Sequence, residues 1–280
     1  THCISSAASD VYKRQELSYN NFLDGDAALQ CLSEFEKSPA CVIVKHNSPC
    51  GVGMGKNIKE AFSMALNVDS LSAFGGVVAL NRKCSVDLAE KINKIFFEII
   101  IAPSFDAGSL KVFSKKKNLR VLSLKKYSSP SFSIKTIGGG SLGQERDESK
   151  LFKKHLTTPT KKKLTQNQTS TGLFAWKVVK HTKSNAVVVA KNNKIISISG
   201  GQTSRVDATK IAFEKTKIPK GCVVASDAFF PFKDSIETMA KYGIKAIIQP
   251  GGSIRDSEVI ESCNKNRIAM AFTGFRVFKH

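Results

Sequence analysis

The chain has 280 residues, enough at about 150 residues per domain for one large domain or two smaller ones. Hydrophobic residues make up 41% and charged residues 24%, ordinary globular usage that excludes disorder, collagen or coiled coil as a whole-chain description. The 43 Lys and Arg against 23 Asp and Glu give a formal net charge of +20, a surface that attracts anions without choosing between nucleotide, polyanionic cofactor, nucleic acid and anionic lipid.

The seven cysteines (Cys3, Cys31, Cys41, Cys50, Cys84, Cys222, Cys263) are odd in number, widely spaced and contain no C-x-x-C pair. That pattern argues against a disulfide framework and a structural zinc, and suits a reducing compartment. No apolar run approaches the roughly 20 residues needed to cross a bilayer, and residues 1–15 lack the charged and apolar regions of a signal peptide. The expectation is a cytoplasmic protein with no membrane partner.

Residues 1–15 show no sustained period and are set apart as a non-native or disordered leader of cloning or read-through origin. From Glu16 the text alternates. A helix is predicted over 24–35, a buried strand over 40–44, a glycine-rich loop over 47–55, a helix over 57–66, a strand over 75–80, a helix over 86–97 and the apolar strand 99–102 before Pro103. Residues 115–163, rich in lysine and serine, read as an irregular connection carrying one or two short strands such as 119–124. A second run follows, with a helix around 175–179, strands at 186–190 and 195–198, a helix after Ser204 and a strand at 223–225. It continues with a helix over 235–242 stopped by Gly243, a strand at 244–248, a helix at 256–264 and a strand at 268–272. The fold class is α/β, in two units of similar layout, 16–150 and 151–280, with functional residues at strand ends.

Four loops carry chemistry. Lys45-His46 sets a fixed cation beside an imidazole, favouring the neutral, base-competent form; the bland reading is a surface Lys and a His satisfied by backbone carbonyls. Gly200-Gly201-Gln202-Thr203-Ser204-Arg205 either cradles a phosphate or carboxylate at a helix N-terminus, with Arg205 as bidentate partner, or is a tight turn capped by Ser204. Residues 226–234 hold three phenylalanines around a proline, which cannot all be buried on one strand face, so one of them lines a cleft while Phe230 or Phe232 can be plain core. Residues 249–256 and the terminal Arg276-Val277-Phe278-Lys279-His280 bring further cations. The zinc ligands of a deaminase, the G-x-G-x-x-G spacing and a Walker sequence are all missing.

Lys45-His46-Asn47-Ser48-Pro49-Cys50-Gly51, Ser72-Ala73-Phe74-Gly75-Gly76, Lys183-Ser184-Asn185-Ala186, Gly201 to Arg205, Ser226 to Asp234, Gln249 to Asp256 and Arg276 to His280 stand in one order from about Glu16 to the last residue. Together they closely resemble the transformylase part of the AICAR transformylase/IMP cyclohydrolase family. The resemblance implies two tandem cytidine-deaminase-like α/β units, three-layered with mixed sheets and without the deaminase zinc. It implies formyl transfer from 10-formyltetrahydrofolate to the 5-amine of AICAR nucleotide in IMP biosynthesis. That amine is a poor nucleophile, so the chemistry needs a base and a cation for the tetrahedral oxyanion.

Carried over residue by residue, the resemblance makes His46 the base or proton shuttle and Lys45 its electrostatic partner. Asn185 would hold the formyl oxygen or folate, and His280 would orient His46 or the substrate carboxamide. Arg205 and Arg276 would bind substrate anions, Phe229 and Asp234 would grip substrate or cofactor, and Asn21 would contact the nucleotide. Gly76, Glu98, Gln202 and Ser204 would complete the binding set. A monovalent cation, K+, and a homodimer whose active sites draw on both subunits are implied as well. Two departures stand out: nothing matches the family's cyclohydrolase domain, so that activity is expected to be absent from this chain, and Val11 to Gln15 replace the family's Arg-Tyr-Gly-Glu-Asn-Pro-type segment. The alternatives from other classes are a scaffold fragment without turnover and a basic nucleic-acid-binding module. Runs Lys115 to Lys117 and Lys161 to Lys163 lack the interleaved aromatics that stack bases, so nucleic acid is not the expected partner.

Overall fold

The structure is a computed structural model that describes residues 9–11, 16–129 and 131–280. In chain order it forms β1 (Ser9–Val11), α1 (Tyr19–Leu32), β2 (Ala40–Lys45), β3 (Ser48–Met54), α2 (Ile58–Leu66), α3 (Ser70–Ala73), β4 (Val77–Leu80), α4 (Val86–Asn93), β5 (Ile99–Ala102), α5 (Ala107–Ser114) and β6 (Arg120–Leu124). The hairpin β7 (Phe132–Ile137) and β8 (Gly140–Glu145) comes next. Then follow α6 (Gln166–Lys180), β9 (Val187–Lys191), β10 (Lys194–Ser199), α7 (Arg205–Glu214), β11 (Val223–Ser226), α8 (Asp234–Lys241), β12 (Ala246–Gln249), α9 (Asp256–Lys265) and β13 (Ala269–Phe272).

Two mixed sheets result, in the orders β1-β6-β5-β4-β2-β3 and β10-β9-β11-β12-β13. Leaving β1 aside, the first order read backwards, β3-β2-β4-β5-β6, repeats the second, so the similar layout seen in the sequence is a duplicated topology. In each sheet a hairpin leads, its second strand at the edge and its first antiparallel to the next strand, and parallel strands follow.

Strands such as Ile99–Ala102 and Val77–Leu80 are buried at every position because both faces of each sheet are covered, which is why their sequences run apolar without alternation. One face of each sheet meets α1 and α6, which lie between the sheets: Val42, Val44, Ala79 and Ile101 share a core with Phe174, Trp176, Val188 and Ile248. Phe35 meets Phe174 edge-on at 5.5 Å across that layer. The outer faces pack separately, Ile43, Val78 and Ile100 under α2 and α4, and Val189, Val224 and Met270 under α7, α8 and α9.

Several boundaries differ from the sequence reading. Residues 47–55, read as a glycine-rich loop, are mostly the edge strand β3. Their alternating glycines serve helix packing: a Cβ on Gly51 would stand 2.2 Å from Ala65 O, and one on Gly53 2.3 Å from Ala61 O. The helix expected around 175–179 begins at Gln166, on a capping box in which Thr165 and Gln168 exchange side-chain to backbone bonds. The connection 115–163 contains the hairpin β7–β8 as well as β6; all twelve of its residues are exposed. Ser9–Val11, inside the stretch set apart as a leader, pairs antiparallel with β6, three residues being too short to show a period. The rest of that stretch, and Cys3, lie outside the described residues.

Candidate functional site

Four separated segments of the second unit meet at the carboxyl ends of its parallel strands. The pairing of Ser226 with Val187 puts the end of β11 beside the start of β9. There, Asn185, Arg205, Ala228, Phe229, Pro231, Arg276 and Phe278 line an open cleft of about 260 Å3. Four of the sequence-predicted residues, Asn185, Arg205, Phe229 and Arg276, are therefore neighbours. Phe229 is the aromatic that faces the cleft, while Phe230 is core and Phe232 is exposed under Arg255.

The two arginines differ in kind. Arg205 is buried: Nη1 donates to the Asp227 carboxylate and to Ala186 O (3.0 Å), and Nη2 donates to Asn185 Oδ1 (2.7 Å). Its charge is neutralised from within the protein. Arg276 is exposed, lies 4.7 Å above the Phe229 ring and makes no ion pair among the described residues, so it is the free cation of the cleft.

Asn185 follows a cis peptide from Ser184. Its Nδ2 donates to Gln202 O (2.8 Å), which with the Arg205 bond fixes the orientation of the amide. Gln202 donates its own side chain to Gly200 O, and Ser204 caps α7 by accepting from Asp207 N, so the local arrangement at Ser204 is the capped turn. Asp234, at the start of α8, accepts from Ser235 N and is not part of the cleft lining. The terminal strap is held by Val277 N to Asp227 O (3.0 Å) and by Ser184 N to Lys279 O (2.9 Å). His280 is exposed at its end, its ring 5.7 Å from that of Phe278.

The other predicted residues form a second group, in the first unit at the amino ends of β4 and β5. His46 and Asn47, with φ of 52° and 61°, make the two-residue turn of the β2–β3 hairpin, a left-handed pair suited to the twist of its strands. His46 is exposed there. Lys45 Nζ donates to Phe74 O (3.1 Å) and Gly75 O (3.0 Å), so carbonyls of the turn before β4 hold the ammonium. Gly76 closes that turn by donating to Ala73 O, and Glu98 N donates to Gly76 O. Asn21 Nδ2 donates to Glu98 Oε2 (2.7 Å), while its Oδ1 accepts from Ser18 N in a capping box. Ser48, two residues beyond His46, accepts from Lys183 N, two residues before Asn185, at 3.4 Å. Lys45 and His46 are not in the cleft lining.

Sequence reasoning quoted the segments holding Asp227 and Ser184 without giving either residue a role. The usable signal was a carboxylate directly after the apolar strand Val223–Ser226, where an acid is rarely buried unless paired. The six described cysteines are free and buried, and burial raises every thiol, to about 12 for Cys31, Cys50, Cys84 and Cys263 and about 11 for Cys222, so none of these five is a ready nucleophile. Among the described residues no group of three or more His, Cys, Asp or Glu is placed to hold a metal, and no helix is long and apolar enough to cross a membrane.

Comparison with known proteins gives one answer. The profile of the AICARFT/IMPCHase bienzyme family matches residues 3–215. The bifunctional purine biosynthesis protein PurH of Aquifex aeolicus is 49% identical over 281 residues, covering 99% of this chain and 55% of that protein. The protein of the same name from Halalkalibacterium halodurans is 50% identical over 284 residues, again 99% of this chain and 55% of the relative. The chain spans about half the length of the curated relatives it matches.

Proposed function

The chain belongs to the AICARFT/IMPCHase bienzyme family, and from that premise we propose that it is the formyl-transferring part of such a protein. It would move a formyl group from 10-formyltetrahydrofolate to the 5-amine of AICAR nucleotide in purine biosynthesis. The observation that carries the reading is the convergence of Asn185, Arg205, Phe229 and Arg276 in one cleft. Arg276 supplies the charge for a phosphate or carboxylate, and Phe229 a flat apolar wall for a heterocycle. The oriented Asn185 and Arg205 donors supply hydrogen bonds to an oxygen that gains charge in the tetrahedral intermediate. His46, exposed and free to reorient, is the proton acceptor for the amine, and Lys45 keeps a cation beside it.

A site of about 260 Å3 is smaller than the roughly 300–1,000 Å3 of ordinary ligand pockets, and it does not contain His46. Both facts fit a homodimer in which the first-unit group of one copy completes the cleft of another. The exposed apolar side chains of Phe132, Ile134, Ile137 and Leu142 on the β7–β8 hairpin are surface available for such an association. The monovalent cation implied by the resemblance would have at this site one buried carboxylate, Asp227, whose Oδ1 accepts two hydrogen bonds and whose Oδ2 accepts one.

Formyl transfer assayed with both substrates tests the reading. His46→Ala should lower kcat by about a hundredfold, the usual size of an acid–base contribution. A loss under about tenfold removes His46 from that role.

A further inference from the structure

Asp227 is fully buried and joins the three segments that carry the polar side chains of the cleft. Oδ1 accepts from Arg205 Nη1 and from Ala186 N (3.0 Å), and Oδ2 accepts from Ser184 Oγ. Its backbone oxygen accepts from Val277 N, and Ser184 Oγ in turn accepts from Lys279 N (3.1 Å). One carboxylate thus braces the residues flanking Asn185, the guanidinium that holds Asn185 Oδ1, and the strap that carries Arg276.

We propose that Asp227 is the positioning residue of the cleft. It fixes the Arg205 fork and, through it, the Asn185 amide, and it cancels the Arg205 charge so that substrate anions are drawn to Arg276. Nε, the second hydrogen of Nη2 and the second amide hydrogen of Asn185 have no partner among the described residues. They form a charge-neutral set of donors suited to a carbonyl or carboxamide oxygen. The division of labour is then explicit: Arg276 binds the anion in the ground state, and the Asp227-braced pair serves an oxygen whose charge develops during reaction.

The kinetic consequence rests on the formyl-transfer reading, whereas the positioning does not, and the experiment separates the two. Asp227→Asn keeps the shape and one acceptor oxygen. In the folded dimeric protein, nitrogen NMR should show resolved η-nitrogen signals for Arg205 in the wild type and averaged ones in Asp227→Asn. Averaged signals in the wild type overturn the positioning whatever the activity. If the wild type transfers no formyl group while its signals are resolved, the functional reading falls and the positioning stands.

In the active protein Asp227→Asn should lower kcat by about thirtyfold or more while KM for the nucleotide moves less than about threefold, the signature of an interaction made in the transition state. The kcat loss should vanish in an Asn185→Ala background, because the two residues act as a unit. A purely structural Asp227 would instead lower the melting temperature with kcat of the folded fraction unchanged, and full additivity with Asn185→Ala would equally overturn the proposal. If Asp227→Asn does not fold, Ser184→Ala, which removes only the Oδ2 partner, should still lower kcat by about three- to tenfold with KM unmoved. A wild-type kcat in Ser184→Ala contradicts the brace.

Discussion

The two groups of candidate residues sit on copies of one topology but at opposite ends of it. In the first unit the residues gather at the hairpin turn, where the pairing of Val44 with Val77 places His46 beside the start of β4. In the second unit they gather at the other end of the strands, after β10, β11 and β13, where Ser226 pairs with Val187. The physical character differs as much as the position. His46 is placed by backbone geometry alone and is exposed, whereas Asn185 and Arg205 are held by a buried side-chain network centred on Asp227. The same scaffold carries an exposed histidine at one end and a set of donors held by buried side chains at the other.

That contrast is sharpest for Arg205→Ala, which strands the fully buried Asp227 carboxylate without its cation. Urea unfolding should show a loss of about 3–5 kcal/mol, the cost of breaking a buried pair. His46→Ala measured the same way should lie within about 0.5 kcal/mol of wild type, as for other exposed positions. Equal losses at the two sites would erase the distinction between the groups.

A smaller effect is expected at the packed side of β3. Gly53→Ala drives a methyl group against Ala61 O and Ala65 N of α2, and overpacking of this kind costs about 1–3 kcal/mol. A substitution without cost at Gly53 would restore the reading of residues 47–55 as a glycine-rich loop.

The element types of both units were legible because strands with two covered faces are short apolar runs, and Ala40–Lys45, Ile99–Ala102 and Ala246–Gln249 stand out against polar helices. The start of α6 was not, since Thr165-Gln166-Asn167-Gln168 continues the polarity of the connection before it and only the capping box marks the boundary. Asn185, Arg205, Phe229 and Arg276 were legible as a set through family resemblance, not through spacing, because 91 residues separate the first from the last and a tertiary network brings them together. Asp227 was missed because a single acid after a strand says nothing about its partners until the fold supplies them. The roles of Arg205 and Arg276 look equal in sequence and separate only when burial and the Asp227 contact are known.

The smallest expected effect concerns the seam between the units. His181 is buried against Glu34, Nε2 to Oε1 at 3.4 Å, and burial holds it below its ordinary value of 6.5 while Glu34 opposes the shift. The unfolded chain binds that proton more readily than the folded one. This contribution is therefore complete above pH 6.5 and shrinks as pH falls below it, until the folded histidine protonates in its turn. The melting temperature should drop between pH 7 and pH 5, and the drop should be shallower in His181→Gln. An unchanged slope in that variant would place the acid sensitivity elsewhere.

In the proposed function an exposed histidine of one copy completes the braced cleft of another, and mixing two inactive variants tests this most directly. His46→Ala and Asn185→Ala chains, unfolded together and refolded as a mixture, should regain up to about a quarter of wild-type formyl transfer, because half of randomly paired dimers carry one site with both residues intact. Mixed dimers that form and yet recover no activity would show that the two groups do not share a site between subunits.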